Sequence, residues 1–366
     1  MSVRTALIVT GLALAMASCS PREKASQTDT AAAPGTASWH AVDYVIAQEA
    51  KAHGPCILLL YDMEGVSGQD DITTAQPEYP EAYAKGRRLL TDDVNAVVRG
   101  LFAGGARSVS IIDGHGGGNR LIDVLIPEID SRAVVIQRVP VDAYSDLATP
   151  GAYDALVAVA MHAKSGSGGF IAHTYTHGTE IAINGNTISE SEMVALAYGA
   201  AGIPLIFVSG DDVLGESLKP MSWLEYVTVK KSTSPTSAVL VPAAQAHGSL
   251  SAGAKRAVQR LAQAKVVKSP ATMEVKVRVN RPWDATWLSN LPGVHYVDNG
   301  IAFTATDFPA AYRGIKAATS AVVIMTYSDA VERSVQEFPN HAEIERRITA
   351  EYNRLWLQGE KAAPHD

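Results

Sequence analysis

Three apolar runs in this chain each stop at a residue able to bind a metal. Cys56-Ile57-Leu58-Leu59-Leu60-Tyr61 runs into Asp62-Met63-Glu64-Gly65, Ser108-Val109-Ser110-Ile111-Ile112 into Asp113-Gly114-His115, and Leu156-Val157-Ala158-Val159-Ala160 into Met161-His162. Short apolar runs without polar alternation read as strands buried on both faces, which is the pattern of a parallel sheet covered by helices. In an open sheet of that kind, ligands gather outside the carboxyl ends of the strands. The expected fold is therefore α/β: an open, mostly parallel sheet flanked by helices, with a metal site at the strand carboxyl ends, plus a smaller α+β part. Asp62, Glu64, His115 and His162 would converge there. With Glu190 from a later segment they form a mixed imidazole and carboxylate set suited to hydrolytic zinc, with two ions sharing a bridging carboxylate.

At 366 residues and 47% apolar content the chain can bury a large core and divide into two parts. Met1 to Ser18 carry a single charge, Arg4, ahead of an apolar stretch from Ala6 to Ala17, which reads as an export signal. The small residues before Cys19 resemble a bacterial lipoprotein signal, in which cleavage leaves Cys19 as the lipidated first residue. That implies an exported protein, lipid-anchored to a bacterial membrane and facing the periplasm. Residues 19–38, rich in Ala, Ser, Thr, Pro and Gly, read as a flexible tether after the signal at 1–18. An α/β metal-binding domain at 39–215 and a second α+β part at 216–366 follow. The formal charge is −7 and no basic cluster is interleaved with aromatics, which excludes a nucleic-acid partner.

Helical spacing is present over Trp39 to Lys51, Glu81 to Ala103, Ser191 to Ala201, Ala252 to Ala264 and Ala342 to Gln358. Further strands are expected at Ala133 to Gln137, Ile181 to Ile183, Leu205 to Ser209 and Met273 to Val279, with strand character around Val294 to Thr304. Cys56 opens an apolar run and reads as a small buried residue, not a nucleophile. Asp62 and Glu64, two apart in an extended strand end, project to the same side. Taken alone, an Asp-x-Glu pair is usually solvated, and a histidine after a strand is usually a satisfied structural residue. The coincidence of His115, His162 and His173 at strand ends or in the loops that follow weighs against that reading. Gly116-Gly117-Gly118 could let backbone approach a bound group, and the Gly- and Ser-rich Ala163 to Phe170 could form a pocket wall or a flap.

Asp62-Met63-Glu64-Gly65-Val66-Ser67-Gly68, Asp113-Gly114-His115, Met161-His162-Ala163 and Ala172-His173-Thr174 resemble the signature segments of the D-aminopeptidase family of metallopeptidases. Order and separations agree, including the eleven positions from His162 to His173. Asn184 to Ala195 is similar to the segment that supplies the last carboxylate, Val208 to Asp212 to an Ala-Gly-Asp-Asp turn, and the resemblance runs on through Trp287 to Tyr312. It implies Asp62 as the bridging ligand, Glu64, His115, His162 and Glu190 as the other ligands of two Zn2+ per subunit, and His173 as a catalytic residue outside the metal shell. In Ser189-Glu190-Ser191-Glu192 the alignment favours Glu190, with Glu192 as the alternative. Tyr61, Gly114 and Gly116 stand where Ser is common in the family, a departure that touches substrate preference.

The implied activity is hydrolysis of N-terminal residues, D-amino acids such as D-Ala, from short peptides by metal-activated water, in a ring-shaped decamer. Two other classes compete. A serine esterase would need a Gly-x-Ser-x-Gly elbow, which Ser165-Gly166-Ser167-Gly168-Gly169 does not supply. A non-catalytic lipoprotein that binds metal or peptide for a transporter would need the ligands but not His173. Turnover of a D-aminoacyl substrate separates it from the enzyme.

Overall fold

The structure, a computed structural model, describes residues 37–116, 122–137, 141–279 and 286–357. The export signal, Cys19 and the tether up to residue 36 lie outside the described residues, as do Gly117 and Gly118. Walking the chain, strand β1 (His40–Asp43) and helix α1 (Gln48–His53) precede β2 (Cys56–Tyr61), which is buried at every position. Helix α2 (Pro80–Ala103) begins at a proline, where the missing N–H costs nothing, and leads to β3 (Ser108–Asp113), β4 (Ala133–Val135) and the fully buried β5 (Ala155–Met161). Next come β6 (Thr179–Ile183), β7 (Asn186–Thr187), α3 (Glu190–Ala200), β8 (Leu205–Asp211), α4 (Asp212–Ser217), the β9 (Glu225–Ser234) and β10 (Ser237–Leu240) hairpin, and α5 (Ala243–Gln259). The chain closes with β11 (Lys265–Lys268), β12 (Met273–Val279), β13 (Val294–Val297), β14 (Gly300–Ala305), α6 (Phe308–Gln336) and α7 (His341–Leu357).

The main sheet has the order β10-β9-β8-β5-β2-β3-β4. All its neighbours are parallel except the β9–β10 hairpin. From β2 the chain winds outward to β3 and β4, then returns to β5, β8 and β9 on the other side. The strand order therefore reverses between β2 and β5, and the loops leaving these two strands part there and open a crevice. Helices α2 and α5 pack together on this sheet, closely enough that a Cβ on Gly100 would sit 2.2 Å from the Ser251 carbonyl oxygen. Helix α3 packs on β5 and β8 and against α6. Leu58, Leu59 and Leu60 are each fully buried in β2, worth about 1.5–3 kcal/mol apiece.

A second, antiparallel sheet has the order β13-β14-β12-β6-β7. The expected boundary at 215 divides elements that the two sheets share: β9 and β10 extend the main sheet, whereas β6 pairs with β12 in the smaller one. The helical spacing of Trp39 to Lys51 is not realised as one helix. His40–Asp43 pairs antiparallel with Lys265–Lys268, and only Gln48–His53 is helical, because an available strand partner outweighs weak local periodicity. Helix α5 starts at Ala243, earlier than the expected Ala252, as the Ala-rich segment after Pro242 continues it backward. The stretch around Val294 to Thr304 is two strands joined by a turn at Asp298 and Asn299, both of left-handed backbone.

Candidate active site

Asp62 follows β2 and His162 follows β5, so the two stand on either side of the crevice where the strand order reverses. The strand ends are stitched by hydrogen bonds from the Asp62 N–H to the Val159 carbonyl (2.9 Å) and from the Gly65 N–H to the Ala160 carbonyl (2.8 Å). Contact is close enough that a Cβ on Gly65 would meet the Met161 carbonyl oxygen at 1.9 Å. Ala160 adopts φ 62° inside a buried strand, next to a break in the β5–β8 register, and the Ser209 Oγ accepts its N–H at 3.0 Å. Such a conformation is costly for a residue with a Cβ and persists only where the surroundings hold it. Ile171 and Tyr175, also left-handed, flank His173 in the loop above.

Glu190 is the first residue of α3. Ser189 and Glu192 form a reciprocal capping box, with the Glu192 carboxylate accepting the Ser189 N–H at 2.8 Å. Glu192 is thus engaged in the cap, and Glu190 points into the crevice. Its Oε1 accepts the Tyr175 N–H at 2.7 Å and lies 3.2 Å from His162 Nε2, while the Tyr144 hydroxyl donates to its Oε2. His162 Nε2 is also 3.4 Å from Asp62 Oδ2, and His115 Nε2 is 3.6 Å from Glu64 Oε1.

All three key imidazoles are pinned from behind. His162 Nδ1 meets the Ala163 carbonyl at 3.0 Å, His173 Nδ1 the Ile171 carbonyl at 2.8 Å, and His115 Nδ1 the Asp123 carboxylate at 2.8 Å. An acceptor at Nδ1 keeps the hydrogen there and leaves the Nε2 lone pair facing the centre, the arrangement that metal-binding imidazoles use. Donor atoms of Asp62, Glu64 and His162 fall within 4.8 Å of one another, as do those of His162, His173 and Glu190, and those of Glu64, His173 and His177. His115 joins through Glu64. The structure therefore brings together all six residues singled out in the sequence, with His177 beside them. His173 stacks on His162 with ring centroids 4.0 Å apart.

The electrostatics explain what such a centre needs. Burial, then the charge of Glu64, pushes Asp62 up to about 8. Burial acts upward on Glu190 and Glu64 too, yet the His162 hydrogen bond and charge bring Glu190 down to about 2, and His115 holds Glu64 well below the usual range. Burial, then the charge of a protonated His162, brings His173 down to about 4. Asp62 Oδ2, Glu64 Oε2 and His162 Nε2 are buried without a hydrogen-bond partner. Buried carboxylates of this density are stable only with cations or protons among them. An oxygen and imidazole-nitrogen donor set fits zinc.

Two residues of the site carried no signal in the sequence. Asp123 orients His115 and accepts the Tyr83 hydroxyl on its other oxygen. Lys230 of β9 is buried, donates to the Glu64 carbonyl at 2.9 Å and to Gln69 Oε1 at 3.1 Å, and sits 4.7 Å from the centre of the Phe170 ring. Burial brings its ammonium down to about 7. Phe170 is itself buried and its N–H donates to Ser232 Oγ at 2.8 Å, which anchors this end of the Gly- and Ser-rich loop against β9. A cavity of 610 Å³ opens onto Asp62, His115, His173 and Glu190, and a larger one of 1260 Å³ also has His173 in its lining.

Comparison with known proteins agrees with this geometry. The sequence profile of the D-aminopeptidases matches residues 56–317. The chain belongs to the D-aminopeptidase family. It is 24% identical over 260 residues to a D-aminopeptidase of Bacillus subtilis (strain 168), covering 69% of this chain and 93% of that protein. Among solved structures it is similar to the zinc-dependent D-aminopeptidase DppA from Bacillus subtilis, described as a self-compartmentalizing protease. The TM-score is 0.67 at 21% identity, over 73% of this chain and 97% of that one. By family the chain is a metallo-aminopeptidase, a hydrolase of peptide bonds.

Proposed function

We propose that this chain is a zinc-dependent aminopeptidase that removes N-terminal D-residues, D-Ala among them, from short peptides. Asp62 would bridge two zinc ions, Glu64, His115, His162 and Glu190 would complete their ligands, and His173 would be the catalytic residue. The observation that carries this reading is the pair of pinned imidazoles, His162 and His115, whose Nε2 atoms lie 3.4 Å from Asp62 Oδ2 and 3.6 Å from Glu64 Oε1, buried carboxylates at the reversal of the sheet. Two bound zinc ions supply Lewis acidity for the scissile carbonyl and bring the pKa of an attacking water toward neutrality.

The chain's own groups do the remaining work. His173 keeps Nδ1–H on the Ile171 carbonyl, so its Nε2, 3.8 Å from Glu190 Oε1, is free to take a proton from the attacking water and pass it to the leaving amine. The hydroxyl of Tyr144 and the N–H of Tyr175 hold Glu190 in one orientation. Phe170 covers the buried Lys230, whose ammonium lies 4.7 Å from its ring centre.

The same proposal includes export, a lipid anchor on Cys19 in a bacterial membrane with the enzyme facing the periplasm, and a ring-shaped homo-oligomer. The small residues before Cys19 support the first two, and the self-compartmentalizing description of DppA supports the last. Purified, zinc-loaded protein should hydrolyse D-alaninamide and D-Ala dipeptides in preference to their L counterparts. Absence of turnover on both series sinks the proposal. Cys19→Ala should release the protein from the membrane fraction, and a wild-type protein already soluble after export removes the anchor.

A further inference from the structure

The segment of α6 beyond Arg313-Gly314-Ile315-Lys316-Ala317, where the family match ends, still walls the catalytic cavity. Tyr312, Lys316, Thr319, Ser320, Val323 and Ile324 recur at helical spacing on one side of α6 and line the 610 Å³ cavity whose floor holds Asp62, His115, His173 and Glu190. The neighbouring side, with Phe308, Ala311, Ile315, Ala318 and Val322, is buried.

Chemistry changes along the cavity-facing side. Near the floor, the Asp142 carboxylate accepts the Tyr312 hydroxyl at 3.0 Å and pairs with the Lys316 ammonium, so charge there is already compensated. Further out, Val323 and Ile324 line the same cavity yet remain 43% and 65% exposed. Apolar side chains left open to water at the mouth of a peptidase cavity are suited to cover by an apolar part of the substrate.

We propose that Val323 and Ile324 form a distal subsite that selects peptides with an apolar side chain on the leaving side of the scissile bond. This rests on the aminopeptidase reading above. The two side chains stand seven and eight residues past Lys316 on the same helix, roughly 10–12 Å along its axis at 1.5 Å per residue, a length that an extended peptide covers in about three residues at 3.4 Å each. The N-terminal residue stays at the floor because its amine and carbonyl must meet the cluster of Asp62 and Glu190.

The test compares kcat/KM for D-Ala-Gly-Leu, D-Ala-Gly-Gly-Leu and D-Ala-Gly-Gly-Gly-Leu with that for the peptide of equal length ending in glycine, in wild type and in a Val323→Ser, Ile324→Ser double variant. Wild type should favour the leucine peptide at one of these lengths by about tenfold, the low end for an apolar side chain entering a pocket, and the variant should bring that ratio close to one. Both substitutions are at exposed positions, and circular dichroism checks the fold. Wild-type ratios near one at every length overturn the subsite and direct the peptide tail into the larger cavity beyond His173. A variant that changes the assembly size by light scattering while keeping the wild-type ratio also overturns it, and makes the rim a contact between copies. Failure of the underlying reaction is distinct, since no peptide would then be cleaved, and it would take the subsite with it.

Discussion

Replacing Asp123 by Asn tests whether the orientation of His115 is set from behind. Asp123 is buried, with one carboxylate oxygen 2.8 Å from His115 Nδ1 and the other taking the Tyr83 hydroxyl. Asn is nearly the same size, so packing is preserved and only charge and donor pattern change. The charge of Asp123 and its hydrogen bond both raise the basicity of His115, so their loss weakens the imidazole as a ligand. An amide NH2 facing Nδ1 would also force the ring hydrogen onto Nε2, the atom that faces Glu64 at 3.6 Å. Loss of such an orienting partner typically costs 10- to 100-fold in metal affinity, about 1.4–2.7 kcal/mol. Competition for zinc against a chromophoric chelator should show that weakening at one of the two ions, with Tyr83→Phe, which leaves the Asp–His pair in place, affected less. Zinc affinity of Asp123→Asn within twofold of wild type, in a folded protein, would refute the reasoning.

Asp62→Asn should lose both ions together by elemental analysis, because a neutral amide does not bridge two cations, whereas His162→Ala should weaken mainly one. His173→Ala should keep its zinc and lose about 100-fold or more in kcat; loss of metal instead would make His173 a ligand and reopen the assignment of Glu190. Lys230 should leave a pH signature. The unfolded chain holds that proton up to 10.5 and the folded chain releases it near 7, so unfolding takes up a proton between these values and stability gains from rising pH there. Compared with Lys230→Met, wild type should become relatively more stable from pH 7 to 10 in denaturant titrations, and a flat difference would show that Lys230 is not desolvated.

Legibility differed by element for physical reasons. The strands ending at Tyr61, Asp113 and Met161 stood out because burial on both faces demands unbroken apolar runs, and their ends marked Asp62, His115 and His162. The family resemblance favoured Glu190 over Glu192, but the residues alone could not separate them, since either acid can begin a helix, until the capping box engaged Glu192. Asp123 and Lys230 act through partners 8 and 166 residues away in the chain, so no local pattern marks them. The short β1 was hidden for a similar reason: its partner β11 lies more than 220 positions later.

By itself, then, the sequence determined the buried parallel strands, the residue types at their carboxyl ends and the spacing that carries the family resemblance. These depend on apolar periodicity and side-chain chemistry, which are local properties. Only the tertiary structure decided that the strand order reverses between β2 and β5, that β6 leaves the main sheet to pair with β12, and that α6 walls the cavity. It also decided which nitrogen of each histidine faces the centre, through Asp123 and the carbonyls of Ala163 and Ile171. Strand order, imidazole orientation and cavity walls are set by contacts between residues distant in the chain, and such contacts exist only after the sheet has assembled and the loops have closed over its edge.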